Sequence, residues 1–439
     1  MTYRQVFLDA LIGPSHHFGG LSMGNMASMN SKYQGSSPKQ AALQGLSKMN
    51  ELRKLGIPQL IFPPLPRPDL TFFHSLGYPD ASLRSCQHLF DLDPTQLSAA
   101  FSSSFMWMAN SATHTSSLDS TDSRCHISVA NLRSCQHRAL EPQMMLPLFQ
   151  YLGSDERYFK IHEPILGPLL DEGSANWVTL SDPDLSASPS LLLYVYSQGA
   201  LLGHSSRFLL RQDEAVLSEI RHRHLLRLNA VVTAQQHPNA VSAGVFHNDV
   251  ICLGLNHFLL LHEDAFVSQS EVLSQLRGRY EKAYSRPLII REVSRDELSL
   301  SEAVNSYLFN SQLISLAPDQ MLMLLPSSCM DVPAAAELIE TLCQEDNPIT
   351  QVQTVGLSES MRNGGGPACL RLNLVLSEPE LASIPEVFRL TSSRYHDLVH
   401  IVQTVYPDQL LFSDLVQKDT YNAIQRAYEQ VYSYWGYFW

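Results

Sequence analysis

The sequence predicts an α/β protein in which pairs of short strands alternate with helices, and three stretches carry that prediction. The first is a complete unit: Ala230 to Ala234 reads as a strand, Gly244 to Asp249 as a polar turn, and Val250 to Leu253 and Phe258 to Leu261 as a strand pair around a tight turn at Gly254 to Asn256. A helix near 269–280 and a strand from Pro287 to Val293 complete it. The second is recurrence of the pattern: a helix around 299–315, a strand from Met321 to Leu325, a helix near 333–344 and a strand from Gln351 to Val355. The third is the alternation of Leu370, Leu372, Leu374 and Leu376 with Arg371, Asn373 and Val375, largely the period of a strand.

The earlier elements follow in order. A short apolar strand leads into Gly13-Pro14-Ser15-His16-His17-Phe18-Gly19-Gly20-Leu21-Ser22-Met23-Gly24-Asn25, a loop able to present amides and polar tips to a small polar ligand. A structural turn is the plain alternative, and His16 with His17 makes a poor metal pair because adjacent side chains of a strand point to opposite sides. Ser37 caps a helix with Pro38 in its first turn; Ala42, Leu46, Met49 and Leu52 share a face before Gly56 and Pro58 stop it. Residues 58–68 form a proline-rich wrapping loop, and Met106 to Asn110 reads as a strand ending in a polar tip. The string Leu-Arg-Ser-Cys-Gln-His occurs at Leu83 and again at Leu132, but nothing around it repeats. Asp171 to Asn176 is an acidic turn, either a carboxylate for a cationic substrate or a solvated loop. Leu191 to Tyr196 reads as a strand, and Arg207 and Arg211 precede a helix from Asp213 to about Asn229. The end of the chain, about 385–439, is helical and closes on Tyr432-Ser433-Tyr434-Trp435-Gly436-Tyr437-Phe438-Trp439, aromatics that call for burial in the core or at a subunit interface.

Composition bounds the function. With 44% hydrophobic and 17% charged residues the chain is ordinary globular protein, and 439 residues bury a core easily. A formal net charge of −13 argues against a nucleic-acid groove, which needs a concentrated basic face. Cysteines at 86, 125, 135, 252, 329, 343 and 369 form no C-x-x-C pair and are odd in number, so neither a disulfide framework nor a zinc ribbon is indicated. No G-x-G-x-x-G or Walker spacing occurs. The N-terminus lacks the basic and apolar regions of a signal peptide, and no apolar run approaches the ~18 residues of a membrane span, so a cytoplasmic protein without membrane partners is expected.

Chemistry points to Asn363-Gly364-Gly365-Gly366-Pro367-Ala368-Cys369. Three glycines free the backbone, Pro367 stiffens the exit, and Cys369 stands where the loop becomes a strand. Taken alone, a cysteine there reads first as a small core residue. With a histidine beside an aspartate (His247, Asp249) and a glutamate in a turn (Glu172), a thiol hydrolase site becomes available, because a thiol of pKa about 8.5 needs a base or cation beside it. His247 and Asp249, two apart at a strand start, would project to one side.

The segments at 13–25, 106–110, 137–138, 171–176, 211–212, 244–250, 307–313 and 363–372 together resemble the N-succinylarginine dihydrolase family, in that family's order and across the chain to about residue 376. The resemblance implies a single domain over 1–439 with the pentein β/α-propeller fold: five ββαβ-like modules around a pseudo-fivefold axis. It implies Cys369 as nucleophile, His247 as general acid/base and Glu172 as the carboxylate that engages the guanidinium and helps proton transfer. The binding positions it implies are Gly19, Gly20, Leu21, Ser22, Met23, Gly24, Asn25, Met26, Ala27 and Ser28 of the first loop, with Asn110, His137, Arg138, Arg211, Asp249 and Asn363. The implied reaction takes N2-succinyl-L-arginine and two waters to N2-succinyl-L-ornithine, two ammonia and carbon dioxide, without metal or organic cofactor, in a homodimer. A deiminase-like or amidinotransferase reaction on a related guanidine is the alternative. On this reading Gly364 to Gly366 supply clearance for a planar guanidinium. Ser174 and Trp177 depart from the alanine and histidine expected of the family, so an edge of the site is expected to differ in fit. The portion from about 377 onward resembles the family weakly.

Overall fold

The computed structural model describes residues 2–183, 188–197, 208, 211–227 and 229–436. Among them the strands form five three-stranded sheets, each built the same way. A strand pairs antiparallel with a second, and the second pairs in parallel with a third after a helical crossover, as parallel pairing requires. In chain order the strands and crossovers are β1 (Tyr3–Ala10), α1 (Pro38–Lys54) and β2 (Gln59–Phe62); β3 (Ala112–Thr115), β4 (Cys125–Val129), α2 (Pro142–Leu152) and β5 (Phe159–His162). Next come β6 (Trp177–Leu180), β7 (Leu191–Tyr196), α3 (Val216–Arg223) and β8 (Val231–Gln235), then β9 (Cys252–Leu255), β10 (Phe258–His262), α4 (Gln269–Tyr284) and β11 (Ile289–Val293). The last are β12 (Gln312–Ala317), β13 (Gln320–Pro326), α5 (Pro333–Gln344), β14 (Ile349–Val355) and β15 (Arg371–Ser377).

The ring is closed by a strand from near the other end of the chain. β15 pairs antiparallel with β1, from Tyr3 opposite Ser377 to Asp9 opposite Arg371, so the first module takes its leading strand from near the C-terminus. Leu372, Leu374 and Leu376 meet Val6, Leu8, Phe62 and Phe149 in a buried core between the first two modules. Two further helices, α6 (Ser392–Val405) and α7 (Lys418–Trp435), pack with α1 outside this ring. Trp435 is buried there with Tyr432 and Tyr434 packed against the same core, which accounts for part of the aromatic end, while Tyr437 to Trp439 lie outside the described residues.

Each leading strand is entered through a tight turn, and these five turns meet. Four are 3₁₀ turns, Met108–Asn110, Gly173–Asn176, Asn248–Val250 and Leu308–Asn310; the fifth is the turn at Ala368 and Cys369 before β15. A closed circuit of hydrogen bonds links them. Ala109 N donates to Cys369 O at 3.1 Å, Asn110 Nδ2 to Glu172 O at 2.9 Å and Asn248 N to Asn176 Oδ1 at 3.2 Å. Asn310 Nδ2 then donates to Asp249 O at 3.2 Å, and Ala368 N to Asn310 O at 3.0 Å. Buried backbone groups must be paired, and here the pairing also fixes the spacing of five chain segments around one point.

Four expected elements differ. Residues 58–68, expected as a loop throughout, contain β2, whose apolar run pairs in parallel with β1 and is buried. Met106 to Asn110 is no strand, because Asn110 N turns back onto Trp107 O. The helix expected over 299–315 ends at Ser306; Tyr307 takes a left-handed conformation (φ 56°), and β12 starts at Gln312. The helix expected from Asp213 to Asn229 spans only Val216–Arg223, and the next residue, His224, is held by Thr115 and Ser128. Arg207 lies outside the described residues.

Candidate active site

The convergent turns form the floor of an open cleft of about 60 Å³. Cys369, His247, Asn110 and Asn363 line it, with His137, Arg138 and Arg211 along one side. Of the first loop, Gly19, Gly20, Leu21, Ser22, Asn25 and Ser28 face the cleft. Met23, Gly24, Met26 and Ala27 do not; Met23 is 53% exposed and reaches the site only through its carbonyl, which accepts from Arg211 Nη2 at 2.5 Å. Glu172 lies beneath the surface, fully buried, and Asp249 lines a second cavity behind the floor.

The thiol, the imidazole and the carboxylates are joined by short contacts. Cys369 Sγ donates to Asp249 Oδ2 at 3.5 Å, across 120 positions of sequence. His247 Nε2 stands 3.0 Å from Glu172 Oε2. Arg138 Nη1 donates to that same oxygen at 2.5 Å, and Ser134 Oγ donates to Oε1. Asn110 Nδ2 is 3.5 Å from His247 Nδ1. His247 and Asp249 do not sit on a strand as their spacing predicts: His247 precedes the 3₁₀ turn Asn248–Val250, and the turn sends His247 toward Glu172 and Asp249 toward Cys369.

Protonation follows from these surroundings. Burial pushes the Cys369 thiol up, and the Asp249 carboxylate pushes it further, so the resting group is a thiol. Burial raises Asp249 to about 6, against the pull of Cys369 and Arg371. Burial alone would raise Glu172 too, but Arg138, His247 and Arg211 outweigh it and hold the carboxylate ionised. His247 falls to about 4, through burial first and the two arginines after it, despite Glu172. An ionised Glu172 can only accept, so the neutral imidazole carries its hydrogen on Nε2 and leaves Nδ1 as the basic atom.

The cations on the cleft side are underused. Arg138 spends one nitrogen on Glu172, and its Nε and Nη2 are buried without a partner. Arg211 lies over the Phe246 ring at 5.1 Å and bonds Ser22 Oγ at 3.2 Å. His137, buried beside both, is lowered to about 3 by burial and by their charges. Such a set of buried donors wants an anion. Among the described residues no group of three or more His, Cys, Asp or Glu side chains is placed to hold a metal ion.

Asn310 is the functional position that the reading of the sequence passed over. Its Oδ1 accepts from Gly366 N at 3.0 Å and Cys369 N at 3.4 Å, so it sets the backbone of the cysteine turn. The glycines also serve packing: a Cβ at Gly364 (φ +105°), which lines the cleft, would fall 2.2 Å from the Asn25 amide, and one at Gly365 2.3 Å from the Trp107 ring. Ser174 and Trp177 also leave the cleft untouched. Ser174 Oγ donates to Ala112 O at 2.8 Å, and Trp177 packs on Tyr194 with centroids 4.6 Å apart; both line the rear cavity.

Five strand–strand–helix–strand modules closed about one axis, with a cysteine, a histidine and carboxylates at one end, define the pentein fold. The N-terminal domain of ArgZ, a cyanobacterial arginine dihydrolase, has this fold with a TM-score of 0.52 at 14% identity, covering 84% of this chain and 97% of that one. A model of the succinylarginine dihydrolase family matches residues 2–436, and the chain belongs to that family. N-succinylarginine dihydrolase of Pseudoalteromonas translucida is 37% identical over 433 residues, 97% of this chain and 96% of the relative. That of Chromohalobacter salexigens is 39% identical over 419 residues, 94% and 92% of the two chains.

Proposed function

We propose that this protein hydrolyses N2-succinyl-L-arginine to N2-succinyl-L-ornithine, two ammonia and carbon dioxide, using Cys369 as nucleophile, His247 as general acid/base and Glu172 as its partner. The observation that carries this reading is the pairing of opposite demands in one cleft. Asp249 beside the thiol suits a guanidinium, while Arg138, with two buried donors lacking partners, and Arg211 suit carboxylates. A succinylated arginine has two carboxylates and one guanidinium; arginine itself has an α-ammonium that this cation cluster would repel. Asn110, Asn363, His137 and the loop residues Gly19 to Ser28 belong to the same binding reading. A cytoplasmic homodimer is part of it as well.

The chemistry follows from the resting charges. A guanidinium seated on Asp249 places positive charge beside Cys369 and lowers the cost of its thiolate, whose proton passes to His247 Nδ1; Glu172 stabilises the imidazolium. The thiolate attacks the guanidinium carbon, the C–N bond breaks, and ammonia leaves with a proton from His247. Water, deprotonated by His247, then attacks the thiouronium carbon and expels the thiolate, giving a ureido intermediate. A second pass at the same carbon expels the second ammonia and leaves a thiocarbamate. Its hydrolysis yields a carbamate that loses carbon dioxide.

Ammonia released per N2-succinyl-L-arginine tests the reading: two are expected, and one with accumulating ureido product would replace it by a deiminase reaction. Cys369→Ser is expected to lower kcat by at least three orders of magnitude, about 4 kcal/mol, with the substrate still bound. Full activity in that variant would end the covalent mechanism.

A further inference from the structure

Arg211 lines the cleft, but its neighbour Gln212 is turned into the protein, where it is 1% exposed. There the amide uses every hydrogen-bonding position it has. Its Oε1 accepts from Glu172 N at 2.7 Å and from Asn176 Nδ2 at 3.2 Å. Its Nε2 donates to Asp171 Oδ1 at 3.2 Å and to Tyr194 Oη at 3.0 Å. These partners also fix which end is oxygen, because a flipped amide would set N–H against N–H at Glu172 and Asn176.

The two ends of the amide do different things. The nitrogen braces the module: Tyr194 stands on β7 and its hydroxyl donates to Asp213 O, while Asp171 Oδ1 also accepts from Gly173 N at 3.1 Å. The oxygen reaches the groups that move protons. Glu172 N belongs to the residue whose carboxylate meets His247, and Asn110 Nδ2 holds the carbonyl of that same residue at 2.9 Å. Asn176 extends the grip, since its Oδ1 accepts from Asn248 N at 3.2 Å, one residue beyond His247. One oxygen atom therefore bears on both chain segments from which Glu172 Oε2 and His247 Nε2 meet at 3.0 Å.

The main chain here is held without help from the Gln212 side chain. Ser197 N donates to Gln212 O at 2.9 Å, and Asp213 N donates to Leu170 O at 2.9 Å. Arg211 itself is tied to Ser22 Oγ at 3.2 Å. Changing the Gln212 side chain thus disturbs the acid/base pair and leaves the anion-binding arginine in place.

We propose that Gln212 is a positioning residue for the reaction: it sets the separation of Glu172 and His247 that keeps the imidazole hydrogen on Nε2 and Nδ1 free to take a proton. It touches neither substrate nor reacting atoms and acts through Glu172 and Asn176. Being neutral, the amide orients the pair without altering the charge that Arg138 and Glu172 balance. The step it serves rests on the dihydrolase reading; the placement of the pair does not.

Gln212→Met keeps the length of the side chain and removes its hydrogen bonds. The expected result is a kcat for N2-succinyl-L-arginine lower by about tenfold to a hundredfold, with KM within about threefold of wild type. Asn176→Leu cuts the arm toward His247, and its loss of kcat should not add to that of Gln212→Met in the double variant. Tyr194→Phe disturbs only the nitrogen end and should lower the melting temperature while kcat stays within about twofold. A crystal structure of Gln212→Met reads the placement without substrate: His247 Nε2 and Glu172 Oε2 should part from 3.0 Å to beyond about 3.5 Å. The proposal is overturned by a folded Gln212→Met that keeps kcat, that loses KM alone, or that holds the pair at its wild-type distance. Additive losses in the double variant, or an equal loss of kcat in Tyr194→Phe, overturn it as well. Should Gln212→Met not fold, Asn176→Leu decides on the same kinetic and crystallographic readouts. A wild-type enzyme that releases no ammonia from this substrate removes the dihydrolase reading instead, and the crystal structure then decides the placement alone.

Discussion

Two buried arginine–glutamate pairs in this molecule have the same length and opposite completeness. Arg67 Nη2 meets Glu141 Oε1 at 2.5 Å, and Arg138 Nη1 meets Glu172 Oε2 at 2.5 Å, with all four side chains almost wholly buried. Around the first pair the polar groups are well used. Arg67 Nε donates to Ser102 O at 2.6 Å and Nη1 to Pro66 O at 2.7 Å, while Glu141 accepts from Ser104 N at 2.9 Å and Ser104 Oγ at 2.5 Å. Around the second, two guanidinium nitrogens have nothing to bond, although they are buried. A buried charge left partly unpaired is costly, so it persists where something else completes it. The saturated pair braces the chain; the unsaturated one waits for an anion.

The largest effect expected from this contrast is on stability. Arg67→Met strips the saturated pair and should cost about 3–5 kcal/mol in chemical denaturation, because Glu141 is left as a buried charge without its counterion. Activity per folded molecule should stay within twofold. Arg138→Met should do the reverse. It should raise KM for the succinylated substrate by about tenfold to a hundredfold, the worth of a charged hydrogen bond of about 1.5–3 kcal/mol, and destabilise less than Arg67→Met does. Equal losses of stability with an unchanged KM would break the comparison.

A smaller effect comes with pH. Asp249 ionises at about 6, so it is neutral in acid and charged above. Lowering the pH through 6 should therefore raise KM for a guanidinium substrate, about tenfold for each pH unit once protonation dominates, with the limb absent in Asp249→Asn. Smallest is Ser134→Ala, which removes one donor from Glu172 Oε1 and should lower kcat roughly fivefold, about 1 kcal/mol, with little change in melting.

Local rules read much of this chain correctly. Ser37 caps α1 by accepting from Gln40 N, with Pro38 in the first turn, and α5 starts at Pro333 as its pattern predicts. The strands β7, β10 and β13 fall within a residue or so of their apolar runs. Failures occur where the backbone does something its residues do not announce. Tyr307 takes φ 56° although nothing in tyrosine favours it, and that single turn converts an expected helix into a 3₁₀ turn and a strand. Asn310 was missed for a related reason. An asparagine in an apolar run has no local signature of a ligand to another segment's amides, and only its bonds to Gly366 and Cys369 reveal the role.

By itself the sequence determined the strand and helix periods, the caps, the glycine positions and the set of motifs that mark the family, because each depends on side chains within a few residues of one another. Tertiary structure alone decided that β15 closes the ring on β1, that five turns then share one circuit of hydrogen bonds, and that Cys369 meets Asp249 across 120 positions. It also decided which side chains stay unsatisfied. Saturation is a property of what surrounds an arginine, and the same residue type is a brace at Arg67 and an open site at Arg138.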